Sequence, residues 1–231
     1  MLEWKYIIRK AGNTLTKKEI LSRTDHTKLS QDASREDIMR LCEEALKYGT
    51  ASVCIPPCYV KEARERYPGL CICTVIGFPL GYQTKETKVF ETADAVKNGA
   101  DEIDMVINVC DVKNGDIDKV TEEISAVRKA CEGKILKVII ETCALDDEEK
   151  IKLCRCVTDG GADFIKTSTG FGSAGAQRED ITLFNKHIGE NVRIKAAGGI
   201  RTPKDMEDFI ALGCERIGTS AAKTLFEEEG E

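Results

Sequence analysis

A single (β/α)8 (TIM) barrel of near-minimal size is the fold this sequence predicts, on three observations. From Asp25 onward, short apolar runs alternate eight times with longer, charged segments of helical period. No linker or low-complexity stretch interrupts the alternation. No GxGxxG follows the first run, which disfavours the rival doubly wound open sheet. At 231 residues, 42% hydrophobic and 32% charged, the chain can bury a full core. Residues 1–231 are therefore expected as one barrel domain, with 1–24 a helical extension and 227–231 a solvated, disordered tail.

Taken in order, the expected strands are Asp25 to Leu29, Ser52 to Ile55, Cys71 to Ile76, Glu102 to Ile107, Leu136 to Glu141, Ala162 to Lys166, Val192 to Ala196 and Arg216 to Gly218. The helices expected between them are Arg35 to Tyr48, Cys58 to Arg66, Lys85 to Asn98, Ile117 to Cys131, Asp146 to Asp159, Glu179 to His187 and Pro203 to Leu212, with Ser220 to Phe226 closing the chain. Ahead of the barrel, Leu2 to Ala11 and Lys17 to Ser22 are helical in pattern and suited to cover its N-terminal end. Asn98-Gly99 and Asp159-Gly160-Gly161 stop helices, whereas Thr202-Pro203 starts one. Asn98-Gly99-Ala100-Asp101 and Gly160-Gly161-Ala162-Asp163 predict one helix-to-strand turn used twice.

A formal charge of -6 argues against a nucleic-acid partner. No window resembles a signal peptide or an apolar membrane span, so a soluble, cytoplasmic protein is expected. The 11 cysteines fall within strand-like and helix-like runs, where they predict reduced core thiols. Cys71-Ile72-Cys73 and Cys154-Arg155-Cys156 lack zinc spacing, and His26 and His187 are far apart, so no metal is expected.

The chemistry gathers at two strands that end in lysine. Ala162 to Gly172 carries Lys166 at the end of an apolar run, and Asn191 to Arg201 carries Lys195 in the same way. Lysine has a reference pKa near 10.4, so a nucleophilic amine at neutral pH needs a depression of roughly three units, or 4 kcal/mol. Burial and a second cation together supply it. Neighbouring parallel strands lie about 4.8 Å apart, which would bring both amines to the rim where barrel enzymes react. Asp104 is expected beside both lysines as a proton relay, while Glu102, Lys137 and Arg193 are expected to pair separately, lower in the barrel.

The anion site is expected at the ends of the last two strands. Gly198-Gly199 and Gly218-Thr219-Ser220 offer unobstructed backbone N–H groups, the latter running into a helix N-terminus. Thr167 and Gly170 belong to the polar loop after Lys166. Asp25, Thr27 and Lys28 end the first strand, Cys54 the second, Asn108 the fourth, and Glu141 and Thr142 the fifth. A small phosphorylated carbonyl compound is the expected ligand.

Asp25-His26-Thr27-Lys28-Leu29, Ile76 to Gly81, Glu102 to Asn108, Phe164 to Gly172, Lys195 to Thr202 and Gly218-Thr219-Ser220 together resemble the deoxyribose-phosphate aldolases, in order and spacing. The resemblance implies a class I aldolase that cleaves 2-deoxy-D-ribose 5-phosphate to acetaldehyde and D-glyceraldehyde 3-phosphate, without cofactor or metal. It implies Lys166 as the Schiff-base lysine, Lys195 as the cation that tunes it, and Asp104 as a proton shuttle. Gly170, Gly198, Gly199, Gly218 and Ser220 would hold the phosphate, with Asp25, Cys54, Thr167 and Thr219 completing the substrate-binding set. A homodimer or homotetramer is likewise implied.

Two departures stand out: the sequence ends Glu227 to Glu231 where some relatives carry a terminal tyrosine that assists proton transfer, and Cys110-Asp111 follows the fourth strand. Two other classes share these features: another Schiff-base sugar-phosphate aldolase or transaldolase, and a non-catalytic sugar-phosphate-binding barrel. For Lys137 the bland reading, an internal ion pair, is preferred.

Overall fold

The computed structural model describes residues 15–222. Its eight strands are β1 (Thr24–Thr27), β2 (Ser52–Ile55), β3 (Ile72–Ile76), β4 (Glu102–Val106), β5 (Ile135–Ile139), β6 (Phe164–Lys166), β7 (Arg193–Ala197) and β8 (Arg216–Thr219). All neighbours are parallel, and β8 pairs with β1 to close the barrel. The α-helices are α1 (Lys17–Leu21), α2 (Arg35–Tyr48), α3 (Val60–Arg66), α4 (Lys85–Lys97), α5 (Val109–Lys113), α6 (Ile117–Ala130), α7 (Asp147–Asp159), α8 (Arg178–His187) and α9 (Pro203–Ala211). The expected helix from Leu2 to Ala11 and the tail 227–231 lie outside the described residues. So does most of the closing helix expected from Ser220 to Phe226.

Strands β2, β3 and β4 are buried at every residue, as parallel strands must be when helices cover one face and the barrel interior fills the other. Helix boundaries follow local chemistry. Ser34, Asp146 and Thr202 each form a reciprocal capping box with the acidic residue three positions on, satisfying first-turn N–H groups. α5 and a 3-10 turn at Thr142–Ala144 sit in the loops after β4 and β5, where the sequence carries too short a period to announce them.

The twice-used turn is present in both places and is built alike. Asp101 accepts the Ile72 N–H at 3.0 Å and Asp163 accepts the Leu136 N–H at 2.8 Å, so each carboxylate ties its turn to the preceding strand. Each also pairs with an arginine of the preceding helix layer, Arg64 and Arg128 respectively. These ties fix strand register at the N-terminal ends, which in turn sets which side chains meet at the opposite rim.

That register brings the two lysines together. Lys166 pairs directly with Lys195 across β6 and β7, Asp104 with Lys137 across β4 and β5, and Lys195 with Arg216 across β7 and β8. Paired residues on parallel strands point to the same face, so all five enter the barrel interior or its mouth.

Candidate active site

Asp104 is the hub of the interior. Its Oδ2 accepts from Lys166 Nζ and from Lys195 Nζ, each at 2.7 Å, so the two amines are at most twice that distance apart. Its Oδ1 accepts from Lys137 Nζ at 2.8 Å and from the Cys73 thiol at 3.1 Å. Asp25 extends the network, accepting from Lys195 at 2.5 Å, Arg216 at 2.5 Å and Ser52 Oγ at 2.8 Å. Glu102 receives Lys137 at 2.6 Å and Arg216 at 3.1 Å.

The expected separate pairing of Glu102, Lys137 and Arg193 is corrected here. Lys137 joins Asp104 as well as Glu102, and Arg216 occupies the place assigned to Arg193. Arg193 instead lies over the Phe164 ring, 4.0 Å from its centroid. The reason is the layered stagger of a tilted barrel: period-2 alternation gives the face of a residue but not the level at which it meets other strands. Arg216 falls two residues before Gly218 on β8, so the same alternation marks it as inward-pointing.

Charge controls protonation in this cluster. Burial alone would push Asp104 up, yet Lys137, Lys166 and Lys195 outweigh it and hold the carboxyl well below the usual range. Burial works against the Lys195 ammonium, but Asp104 and Asp25 more than compensate and hold it above the ordinary lysine value. Asp25 is kept low against burial by Lys195, Lys137 and Arg216. Four basic side chains thus face three carboxylates. Lys195 contacts two of the carboxylates, Lys137 three and Arg216 two, whereas Lys166 contacts Asp104 alone.

Lys166 also differs in what it faces. It lines a cleft of about 490 Å³ with Lys28, Thr169, Gly170, Phe171, Gly198, Gly199, Arg201, Gly218, Thr219 and Ser220. The charged lining is entirely basic, Lys28, Lys166 and Arg201, on a chain of net charge -6. An anion is therefore favoured at this mouth. Gly170, Gly198 and Gly199, all lining the cleft, hold left-handed φ values of 87°, 83° and 75°, a backbone that glycine adopts without strain. Gly218 serves a second purpose: a Cβ there would lie 3.1 Å from Lys195 Cε, so the glycine makes room for the lysine stem.

The remaining expected binding residues sit deeper. Asp25, Cys54 and Thr167 are fully buried. Asp25 is engaged by Lys195 and Arg216, and Thr167 ties β6 to β7 by exchanging hydrogen bonds with Ala197 at 3.1 Å. Thr219 lines the cleft while its hydroxyl donates to Ile200 O at 2.7 Å. Arg201 and Phe171 also line the cleft, each beside a glycine-rich turn, and no local signal in the sequence marks either as a cleft residue.

Cys54, Cys73 and Asp104 bring three possible metal-ligand atoms within 4.8 Å of one another. Three ammonium groups already engage Asp104, so a cation added there would meet like charge at close range. The charge around this donor set therefore does not suit a metal ion. The 11 cysteines are all free thiols, mostly buried, with Cys58 and Cys110 exposed. No described helix is long and apolar enough to cross a membrane.

Residues 20–219 match the model of the DeoC/LacD family aldolases. A deoxyribose-phosphate aldolase of Clostridium botulinum is 57% identical over 212 residues, covering 91% of this chain and 96% of that protein. One of Streptococcus agalactiae is 59% identical over 204 residues, covering 88% and 92%. Among solved structures, the tetrameric deoxyribose phosphate aldolase of Aeropyrum pernix superimposes with a TM-score of 0.86 at 31% identity, covering 93% of each chain.

Proposed function

Because this chain belongs to the DeoC/LacD family of aldolases, we propose that it cleaves 2-deoxy-D-ribose 5-phosphate reversibly to acetaldehyde and D-glyceraldehyde 3-phosphate through a Schiff base on Lys166. The observation that carries this reading is the surplus cation: of the interior bases, Lys166 has the fewest carboxylate contacts and is the one that lines the cleft. Converting it to the neutral amine breaks fewer ion pairs than converting Lys137 or Lys195.

In the proposed reaction, the phosphate is held by Gly170, Gly198, Gly199, Gly218 and Ser220, with Lys28 and Arg201 contributing positive charge at the mouth. Neutral Lys166 attacks the C1 aldehyde, and loss of water gives an iminium ion. Removal of the proton from the 3-hydroxyl breaks the C2–C3 bond. Its electrons pass into the iminium to form an enamine, while C3 becomes the aldehyde of glyceraldehyde 3-phosphate. Protonation at C2 and hydrolysis then release acetaldehyde and regenerate the amine. Lys195 is held as an ammonium beside the reacting amine, and Asp104, bonded to both lysines, relays protons between the two nitrogens and the reacting atoms.

The phosphate anchor and the basic cleft support a sugar phosphate substrate. Exposed Leu80, Tyr82 and Phe90 fit the homodimer or homotetramer that completes the proposal, and sedimentation of a pure monomer at working concentration would remove that part. A reducing, cytoplasmic setting suits the free thiols. The test of the reaction is product analysis. Acetaldehyde and glyceraldehyde 3-phosphate should form in equal amounts from 2-deoxyribose 5-phosphate. Cleavage of other sugar phosphates without acetaldehyde would favour the transaldolase reading, and binding without turnover the non-catalytic one.

A further inference from the structure

Glu141 stands just past β5 in a conformation that its side chain does not favour. It is the one described non-glycine residue with positive φ, at 56°, and with ψ 67° it occupies the left-handed region. Such a position costs an L-residue other than glycine on the order of 1 kcal/mol, and a site that keeps a long acidic side chain there uses that side chain for something.

The use is visible in the contacts. The Glu141 carboxylate accepts the Thr169 hydroxyl at 2.5 Å and the Thr169 N–H at 3.3 Å, three residues after Lys166. The Thr169 hydroxyl oxygen in turn accepts the Phe171 N–H at 3.0 Å. The chain then folds closely round the carboxylate: a Cβ on Gly172 would come within 3.3 Å of Glu141 Cδ and 2.7 Å of Cys143 Sγ. Phe171 is steadied on its other side by the Phe78 ring, edge-on at 5.3 Å. Thr169, Gly170 and Phe171 form one wall of the cleft, and Thr169 and Phe171 also border a second, more apolar cavity of about 290 Å³ that Glu141 itself lines. The segment is thus a thin partition between two cavities, fixed on one side by Glu141 and on the other by Phe78.

We propose that Glu141 is a positioning residue for substrate binding: its carboxylate is the post that holds the Thr169–Gly172 partition upright, so that the Gly170 backbone meets the phosphate end of the substrate. The inference rests on the aldolase reading given above. It concerns binding and phosphate preference, because Lys166 is held independently by Asp104 and by β6.

The decisive variant is Glu141→Gly, which suits the left-handed backbone and removes the carboxylate. A purely structural residue at positive φ would leave KM unchanged and the thermal midpoint equal or higher. The proposal instead expects an intact thermal midpoint with KM for 2-deoxyribose 5-phosphate raised about tenfold and kcat within about threefold of wild type, the loss of one charge-assisted hydrogen bond. The preference for the phosphorylated sugar over free 2-deoxyribose should fall by a similar factor. Glu141→Gln, which keeps one acceptor, should recover part of the loss. Thr169→Val tests the same bond from a residue with no strained backbone and should also raise KM. Unchanged KM and unchanged phosphate preference in both Glu141→Gly and Thr169→Val would overturn the proposal. A wild-type protein that fails to cleave the sugar phosphate would instead overturn the reaction assigned to the cleft.

Discussion

Lys88 and Lys166 are both buried lysines with a carboxylate oxygen at 2.7 Å, yet their surroundings differ in two respects. Lys88 on α4 pairs one-to-one with Glu123 on α6 and donates also to the Val106 carbonyl at 2.8 Å, tying helix layer to barrel. Lys166 shares one oxygen of Asp104 with Lys195 and borders the cleft. Burial holds Lys88 below the usual lysine range even against the attraction of Glu123, so depressed basicity alone would nominate a lysine that borders no cleft. The contrast teaches that a reactive amine needs an unmatched charge and an opening for substrate, and Lys88 has neither.

The sharpest way to break the comparison is to remove each amine in turn. Lys166→Ala should lower kcat/KM by on the order of 10⁴-fold or more, because the covalent route is lost. Lys88→Met should leave kcat per folded molecule unchanged, since nothing it touches reaches the cleft. Lys195→Met should cost about 10² to 10⁴ in kcat, the range for a lost proton-transfer group, with steady-state kinetics as the measure. A Lys195 variant as active as wild type would show that the second cation is not needed.

Stability should show the opposite ranking. Lys88→Met strands a buried carboxylate on Glu123 and should cost about 3–5 kcal/mol in urea unfolding, while the double change Lys88→Met with Glu123→Leu should recover most of it. Within the barrel, the expected effect depends on pH. The Asp104 carboxyl is held well below its usual value by Lys137, Lys166 and Lys195, against burial. Its folded pKa is thus lower than its unfolded one, so its contribution is fully present above about pH 5 and is lost as pH falls below about 4. The stability difference between wild type and Asp104→Asn should therefore be flat near neutrality and narrow in acid. A difference that stays constant down to pH 3 would contradict the ion pairing drawn here.

Much of this was legible in the sequence because it rests on local signals. The repeated Asn98 to Asp101 and Gly160 to Asp163 turns were recognisable from identical glycine and aspartate spacing, and both carry the same Asp-to-strand tie. Lys166 and Lys195 stood out as amines ending apolar runs before glycines, and they pair directly in the sheet. What escaped depends on contacts between distant strands. Arg216 reaches Asp25 across β8 and β1 and Glu102 further round the barrel, a meeting decided by stagger. Glu141 was visible as a strand-end residue, but nothing local marks the left-handed backbone that turns its carboxylate onto Thr169. Short elements such as α5 carry too few residues to show a period.

The central claim is that Lys166, and neither of its neighbours, carries the substrate covalently. Borohydride reduction in the presence of acetaldehyde, followed by peptide mapping, tests it most directly. A mass increase for one reduced two-carbon adduct on the peptide bearing Lys166, absent in Lys166→Ala, is the expected result. An adduct on Lys195, Lys137 or Lys88 in its place, or no adduct in a protein that still releases acetaldehyde, would contradict it.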